Sequence, residues 1–220
     1  MDPVKNPVAP PVKPPEARDV DDWDRMYREG LPPWETGRPA AELMAVLAER
    51  KKLLGRGTVI ELGSGTGADA ICLAKAGFDV TAVDISPIAM ERARARAHLE
   101  WTGVHFVLGD VFPYAEKAGK FDLIYDAGFY GFARRKNLAK FLDILWRLSR
   151  PGTFYLTLVG NADEPSEDRP PSVTEEDIRL ELGRLFRMVQ LRPCRLASPR
   201  RPEGFLGWSC LMQRPEPVGR

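Results

Sequence analysis

Histidine and cysteine are scarce in this chain, with two and three residues among 220. Cys72, Cys194 and Cys210 stand far apart with no CxxC spacing. That pattern is poor material for a disulfide scaffold or a structural zinc site, and it suits a reducing cytosol. An excess of one charge is lacking too: 32 basic and 31 acidic side chains leave a formal charge of +1. This balance argues against a chain that coats nucleic acid or an anionic membrane. No run of about 18 apolar residues offers a membrane span. The N-terminus lacks the apolar core of a secretory signal, and no internal repeat is visible. What is there, 44% hydrophobic and 29% charged residues, is enough to bury a globular core. Proline is the one surplus, 20 against 19 glycines. It concentrates at Pro3, Pro7, Pro10, Pro11, Pro14 and Pro15, where neither helix nor sheet ladder can form. The expected organisation is a disordered proline-rich tail over residues 1–17 and a single domain over 18–220.

Beyond the tail, residues 19–29 read as a short amphipathic helix, ended by Gly30 and the Pro32-Pro33 pair. A second helix is predicted from Pro39 to about Leu54. Then strands and helices alternate. Predicted strands run from Thr58 to Leu62, Phe78 to Val83, Val104 to Val107, Phe121 to Tyr125 and Thr153 to Val159. Helices follow the first, second and fourth of these, the last over 138–148. Such spacing means βαβ units and right-handed crossovers. Leu185 to Leu191 and Phe205 to Met212 read as a closing antiparallel pair. The fold class is therefore α/β: a doubly wound, mostly parallel sheet with an antiparallel C-terminal edge pair.

In an open parallel sheet the ligand sits outside the carboxyl ends of the strands. Here strand one runs into Gly63-Ser64-Gly65-Thr66-Gly67, and the next three strands lead to Asp84, Asp110 and Asp126. Glycines let backbone approach a ligand closely. An acid about twenty residues after the loop is placed to accept from ribose hydroxyls. The loop also satisfies GxGxxA through Gly63, Gly65 and Ala68, so a nicotinamide dehydrogenase has to be weighed. Glu61 argues against it, because a carboxylate two residues before the first glycine suits an ammonium or sulfonium ligand better than a pyrophosphate.

The sequence resembles the class I S-adenosylmethionine-dependent methyltransferases. The first motif of that family looks like Val59-Ile60-Glu61-Leu62-Gly63-Ser64-Gly65-Thr66-Gly67, and the second like Val83-Asp84-Ile85-Ser86. The third looks like Gly109-Asp110-Val111, and the fourth like Phe121-Asp122-Leu123-Ile124-Tyr125-Asp126. This likeness covers Trp23 to the C-terminus, and within it the N-terminal segment is similar to that of the thiopurine and thiol/halide branch. There Trp23, Tyr27 and Trp34 match aromatic residues that cover the methionine end of the cofactor, within a helical lid over about 18–54. The resemblance implies a Rossmann-like methyltransferase fold and S-adenosylmethionine as cofactor, with S-adenosylhomocysteine as product and no metal. The implied cofactor-binding residues are Trp23, Tyr27, Trp34, Glu61, Gly63, Ser64, Gly65, Gly67, Asp84, Ile85, Asp110, Val111 and Asp126. It places Trp34, Arg38, Phe129 and Tyr130 in the acceptor pocket, with Asp126 and Tyr130 as catalytic candidates. Pro170-Pro171-Ser172 departs from the Pro-Pro-Tyr of plant relatives, which weighs against halide methylation.

Methyl transfer from a sulfonium is an in-line displacement that demands alignment and exclusion of water. A hydroxyl or amine acceptor usually wants a general base. His98, near a helix end, and His105, at the wrong end of its strand, are poorly placed for that role. A thiol needs less help, since its pKa of about 8.5 leaves useful thiolate at neutral pH. The expected function is S-methylation of a small thiol or thiopurine-like acceptor. Alternatives are O- or N-methylation of a small metabolite, and a cofactor-binding protein without turnover. Expected partners are a small-molecule acceptor but no nucleic acid and no membrane; a cytoplasmic monomer is expected. Arg92, Arg94 and Arg96, and the Arg134-Arg135-Lys136 run, read as solvated faces. Arg195, Arg200 and Arg201 are candidates for reaching an anionic substrate.

Overall fold

The computed structural model describes residues 20–30, 32–165 and 169–216. The proline-rich tail expected over 1–17 lies outside them. Five strands run parallel: β1 (Thr58–Leu62), β2 (Asp79–Asp84), β3 (His105–Leu108), β4 (Leu123–Ala127) and β5 (Phe154–Asn161). A two-residue β6 (Ser172–Val173) pairs with the end of β5. Then β7 (Arg187–Ser198) and β8 (Arg201–Gln213) form a hairpin, with β8 antiparallel to β5. The sheet order is β3-β2-β1-β4-β5-β8-β7. The order reverses between β1 and β4, which opens the ligand crevice at their carboxyl ends.

Helices α1 (Val20–Arg28), α2 (Ala41–Glu49) and α3 (Lys51–Leu54) precede the sheet. The crossovers carry α4 (Ala68–Lys75), α5 (Pro87–Leu99), the short α6 (Val111–Ala115) and α7 (Phe129–Leu148). α8 (Glu175–Leu182) leads into β7. Cores fill both faces of the sheet. Ile60, Ile124 and Tyr155 pack with Phe141 and Ile144 of α7 on one side. Val59, Leu123 and Leu156 pack with Leu43, Val46 and Leu73 on the other. Strand residues alternate between these layers, and β5 is buried along its whole length, as a central strand of a covered sheet must be. Among the described residues no helix is long and apolar enough to cross a membrane.

The alternating pattern and the closing antiparallel pair are those predicted, but some boundaries differ for local reasons. The helix after β4 starts at Phe129 rather than near Leu138. Gly128, at φ 93°, makes the turn, and Tyr130 donates its backbone N–H to Asp126 Oδ1 at 3.0 Å. Phe129 and Tyr130, expected in the acceptor pocket, and Phe132 thus lie in a first turn capped from Asp126. Asn137, at φ −167° and ψ 95°, breaks the helix close to the predicted start. α6, β6 and α8 went unpredicted, although Thr174 and Asp177 form a reciprocal capping box at the start of α8. β7 and β8 are also longer than predicted, at 12 and 13 residues. The charged, proline-bearing stretch near their turn hides the strand period, and edge strand β7 tolerates Pro193.

Candidate functional site

The loop after β1 has three glycines in the left-handed region, Gly63, Gly65 and Gly67, with φ of 71°, 53° and 76°. Space excludes side chains there as well. A Cβ on Gly63 would lie 3.0 Å from the Phe129 ring, and one on Gly65 would lie 2.8 Å from the Tyr27 hydroxyl. The loop is braced by β2: Gly65 donates its N–H to Asp84 Oδ2 at 2.7 Å, and Ser86 donates to Oδ1 at 2.9 Å. Burial raises the Asp84 pKa, and these backbone donors oppose the rise. Asp110 caps α6 by accepting from the Phe112 N–H at 2.9 Å. Its neighbour Val111 is buried, and Ile85 is half-buried beside Asp84.

Glu61 differs from these acids. It is 3% exposed, and its Oε2 has no hydrogen-bond partner. Burial pushes its pKa well above the ordinary carboxylate range, and Asp69, Asp84 and Asp126 add to the rise. The Ser64 hydroxyl, at the same loop, is buried without a partner too. Unpaired buried polar atoms are costly. A cationic ligand with its own hydrogen-bonding groups fits this pair. Among the described residues no group of three or more His, Cys, Asp and Glu is arranged to hold a metal ion.

The N-terminal segment is pinned over the loop by contacts that no local motif announces. Ser86 donates its hydroxyl to Asp24 at 2.6 Å, and Arg92 Nη2 donates to the Tyr27 carbonyl at 2.8 Å. Glu35, 7% exposed, accepts from the Thr66 hydroxyl at 2.6 Å and from the Gly37 N–H at 2.8 Å. Arg96 stands 3.9 Å from the same carboxylate. Asp69 accepts from the Ala40 N–H and from the Tyr125 hydroxyl, each at 2.7 Å. Arg92 and Arg96 are therefore not simply a solvated face; they hold this segment. Trp23 lies edge-on to Trp34 at 5.4 Å and to Phe132 at 4.9 Å. Trp34 Nε1 donates to the Tyr27 hydroxyl at 3.3 Å. The Tyr27 phenol is raised by burial and by nearby Asp84, so it stays protonated.

The structure thus brings Trp23, Tyr27 and Trp34 to the glycine loop, with Phe129 against Gly63. It does not bring Tyr130 to any open surface. Tyr130 and Asp126 are both 0% exposed. The Tyr130 hydroxyl donates to Glu181 at 2.6 Å, and Asp126 accepts from the Tyr155 hydroxyl at 2.7 Å. Burial moves the Asp126 pKa up to about 6. Arg38 is exposed beyond Gly37. Arg134, read as part of a solvated run, is paired with Glu181 and Asp177. Arg201, a candidate for reaching substrate, is paired with Glu164 and Glu203. The hairpin turn reaches the same end of the sheet, where Ser198 donates its hydroxyl to the Pro33 carbonyl at 2.7 Å. Sequence reasoning missed Asp24, Glu35, Thr66 and Asp69; each is an ordinary polar residue whose partner lies far along the chain.

Known proteins resemble this chain along most of its length. A family model described as a methyltransferase domain matches residues 59–152. The probable thiol methyltransferase 2 of Arabidopsis thaliana is 30% identical over 190 residues, 84% of this chain and 82% of that protein. The 2-heptyl-1-hydroxyquinolin-4(1H)-one methyltransferase of Mycobacteroides abscessus is 27% identical over 168 residues, 75% of this chain and 73% of its own. A solved structure from work on the conversion of a disulfide bond into a thioacetal group during echinomycin biosynthesis superposes with a TM-score of 0.75. It is 25% identical and covers 90% of this chain and 93% of the other.

Proposed function

This chain belongs to the class I S-adenosylmethionine-dependent methyltransferases, and from that premise we propose that it methylates the sulfur of a small thiol or thiopurine-like acceptor. It is a small-molecule methyltransferase with S-adenosylmethionine as its methyl donor; the choice of sulfur is the finer step. The observation that carries that step is an acceptor side walled by aromatic rings, with no free base at it among the described residues. Trp23, Trp34 and Phe132 form the rings. Asp126 and Tyr130 are buried and engaged elsewhere. His98 stacks near Trp101 from the last turn of α5, and His105 is the first residue of edge strand β3, away from the carboxyl ends of the strands where the loop lies. A thiol ionises well enough to do without a base, whereas a hydroxyl or amine usually needs one. The name of the Arabidopsis relative supports the same reading.

Bound S-adenosylmethionine supplies an electrophilic methyl group on a sulfonium and leaves as S-adenosylhomocysteine. Glu61 would receive the ammonium group of its methionine end on the unpartnered Oε2, and the Ser64 hydroxyl would take up a second polar group there. Gly63, Gly65 and Gly67 keep the backbone bare for close approach. Asp84 and Asp110 hold the shape of the loops they cap, and their remaining lone pairs would be free to accept from the nucleoside's hydroxyl and amino groups. Trp23, Tyr27 and Trp34 would offer aromatic surface to the positive sulfur without a nucleophile that would itself be methylated. Asp126 and Tyr130 act as supports behind Phe129, not as groups that touch the acceptor.

The test is a panel of thiols, phenols and amines, read as S-adenosylhomocysteine release, with cofactor affinity measured by calorimetry. Thiols should turn over fastest. Turnover of phenols or amines with none of any thiol overturns the sulfur assignment.

A further inference from the structure

α7 is two helical pieces joined at Asn137. The first piece, residues 129–136, is the inner wall of the site: Phe129 lies against Gly63, and Phe132 meets Trp23 edge-on at 4.9 Å. A piece this short has little stability of its own. It is gripped from behind by α8. The Tyr130 hydroxyl donates to Glu181 Oε2 at 2.6 Å, and Arg134 Nε donates to the two Glu181 oxygens at 2.9 and 3.1 Å. Arg134 Nη2 completes a forked pair with Glu181 and reaches Asp177 Oδ1 at 3.1 Å. At about 100° per residue, Phe129 and Phe132 lie on the side of the piece roughly opposite Tyr130 and Arg134. A grip on one side therefore places the other. Glu181 is only 8% exposed, and a buried ion pair is a poor source of net stability. Its forked geometry is, however, a stiff one.

We propose that Glu181 is a positioning residue for methyl transfer: by holding Tyr130 and Arg134 it sets where Phe129 and Phe132 stand, and so fixes the acceptor wall against the cofactor loop. The proposal rests on the methyltransferase reading of the site and assigns a role to a residue outside it.

Glu181→Gln and Tyr130→Phe test it in the full chain by amide hydrogen exchange and by kinetics on a thiol that the wild type methylates. In Glu181→Gln the amides of residues 129–136 should exchange about tenfold faster or more, while those of 138–148 change by less than about twofold. The acceptor KM should rise about tenfold, with kcat and cofactor Kd within about threefold. Tyr130→Phe keeps the Arg134 pair and should show a smaller effect of the same kind; it carries the test if Glu181→Gln does not fold. Unchanged exchange at 129–136, an equal rise along all of α7, or a fall in kcat at constant acceptor KM overturns the proposal. The exchange measurement needs no turnover. A wild type that methylates no thiol therefore refutes the sulfur reading and leaves Glu181 to be decided by exchange.

Discussion

Glu61→Gln should stabilise the empty protein and weaken the loaded one. The Glu61 carboxyl is buried, has one oxygen without a partner, and is held well above the ordinary pKa range by burial and by Asp69, Asp84 and Asp126. A carboxyl raised in this way holds its proton more tightly in the native state than in the unfolded one. Its contribution to stability is full below the unfolded pKa of about 4.3 and is lost as pH rises through the folded value. Glutamine has no such proton to lose. Without ligand the variant should therefore exceed the wild type at pH 8 by about 1 to 3 kcal/mol, the added cost of burying an ionisable carboxyl rather than a neutral amide at this site. For a domain of this size that is roughly 3 to 10 °C in Tm. Near pH 5 the two should converge. Asp84 and Asp126, also raised by burial, keep titrating in the variant, so its pH slope shrinks without vanishing. With S-adenosylmethionine the order reverses. Loss of a charge-assisted hydrogen bond to the ammonium group costs about 1.5 to 3 kcal/mol, or about 10- to 100-fold in Kd. Wild-type affinity should also tighten as rising pH ionises Glu61, whose carboxyl burial holds above the ordinary range, while that of the variant stays flatter. Thermal unfolding at both pH values, with calorimetry for Kd, reads all of this. A Kd within about twofold of the wild type, or an empty variant less stable than the wild type at pH 8, refutes the reasoning.

Gly65→Ala forces a Cβ onto a backbone at φ 53° and to within 2.8 Å of the Tyr27 hydroxyl. The left-handed penalty alone is about 1 to 2 kcal/mol, and adding Tyr27→Phe should relieve only the collision. A denaturant double-mutant cycle that finds no coupling between the two sites contradicts that contact. Glu35→Ala strands the Thr66 hydroxyl and the Gly37 N–H; it should cost about 1 to 3 kcal/mol by urea unfolding and weaken cofactor binding. Unchanged cofactor affinity would mean that Glu35 does not anchor a lid. Trp34→Ala, at a residue 39% exposed, should change stability by only about 0.5 kcal/mol. By calorimetry it should weaken cationic S-adenosylmethionine about fivefold, with little change for neutral S-adenosylhomocysteine; equal losses for both would rule out ring contact with the sulfonium.

The parts of this protein legible in its sequence are those whose cause is local. β-branched runs made the strands visible, and the start of α5 has an equally local cause: Ser86 accepts from the Ala89 N–H and Pro87 opens the helix. Three closely spaced glycines marked a loop whose backbone only glycine adopts easily. The anchoring of the N-terminal segment was not legible, because its bonds join residues far apart in the chain: Glu35 to Thr66, Asp24 to Ser86, Tyr27 to Arg92. Nothing in residue type distinguishes Arg92 and Arg96, which hold that segment, from an arginine left in solvent. The first turn of α7 was hidden for another reason. Its aromatic residues and glycines have weak helix propensity, and the cap from Asp126 and burial against the core override it.

The acids at the strand ends show most clearly how a place can be read without its roles. Residue type put Glu61, Asp84, Asp110 and Asp126 at one end of the sheet, as the topology does. An aspartate after a strand, however, has two uses that look alike in sequence, capping the next backbone turn and holding a ligand. Asp84, Asp110 and Asp126 all accept from backbone N–H groups. Glu61 alone of the four keeps a buried oxygen with no partner. That distinction depends on which donors the folded chain brings within reach. It follows that Asp84→Asn and Asp126→Asn should act largely through the shape of the loops, and Glu61→Gln through the charge presented to the ligand.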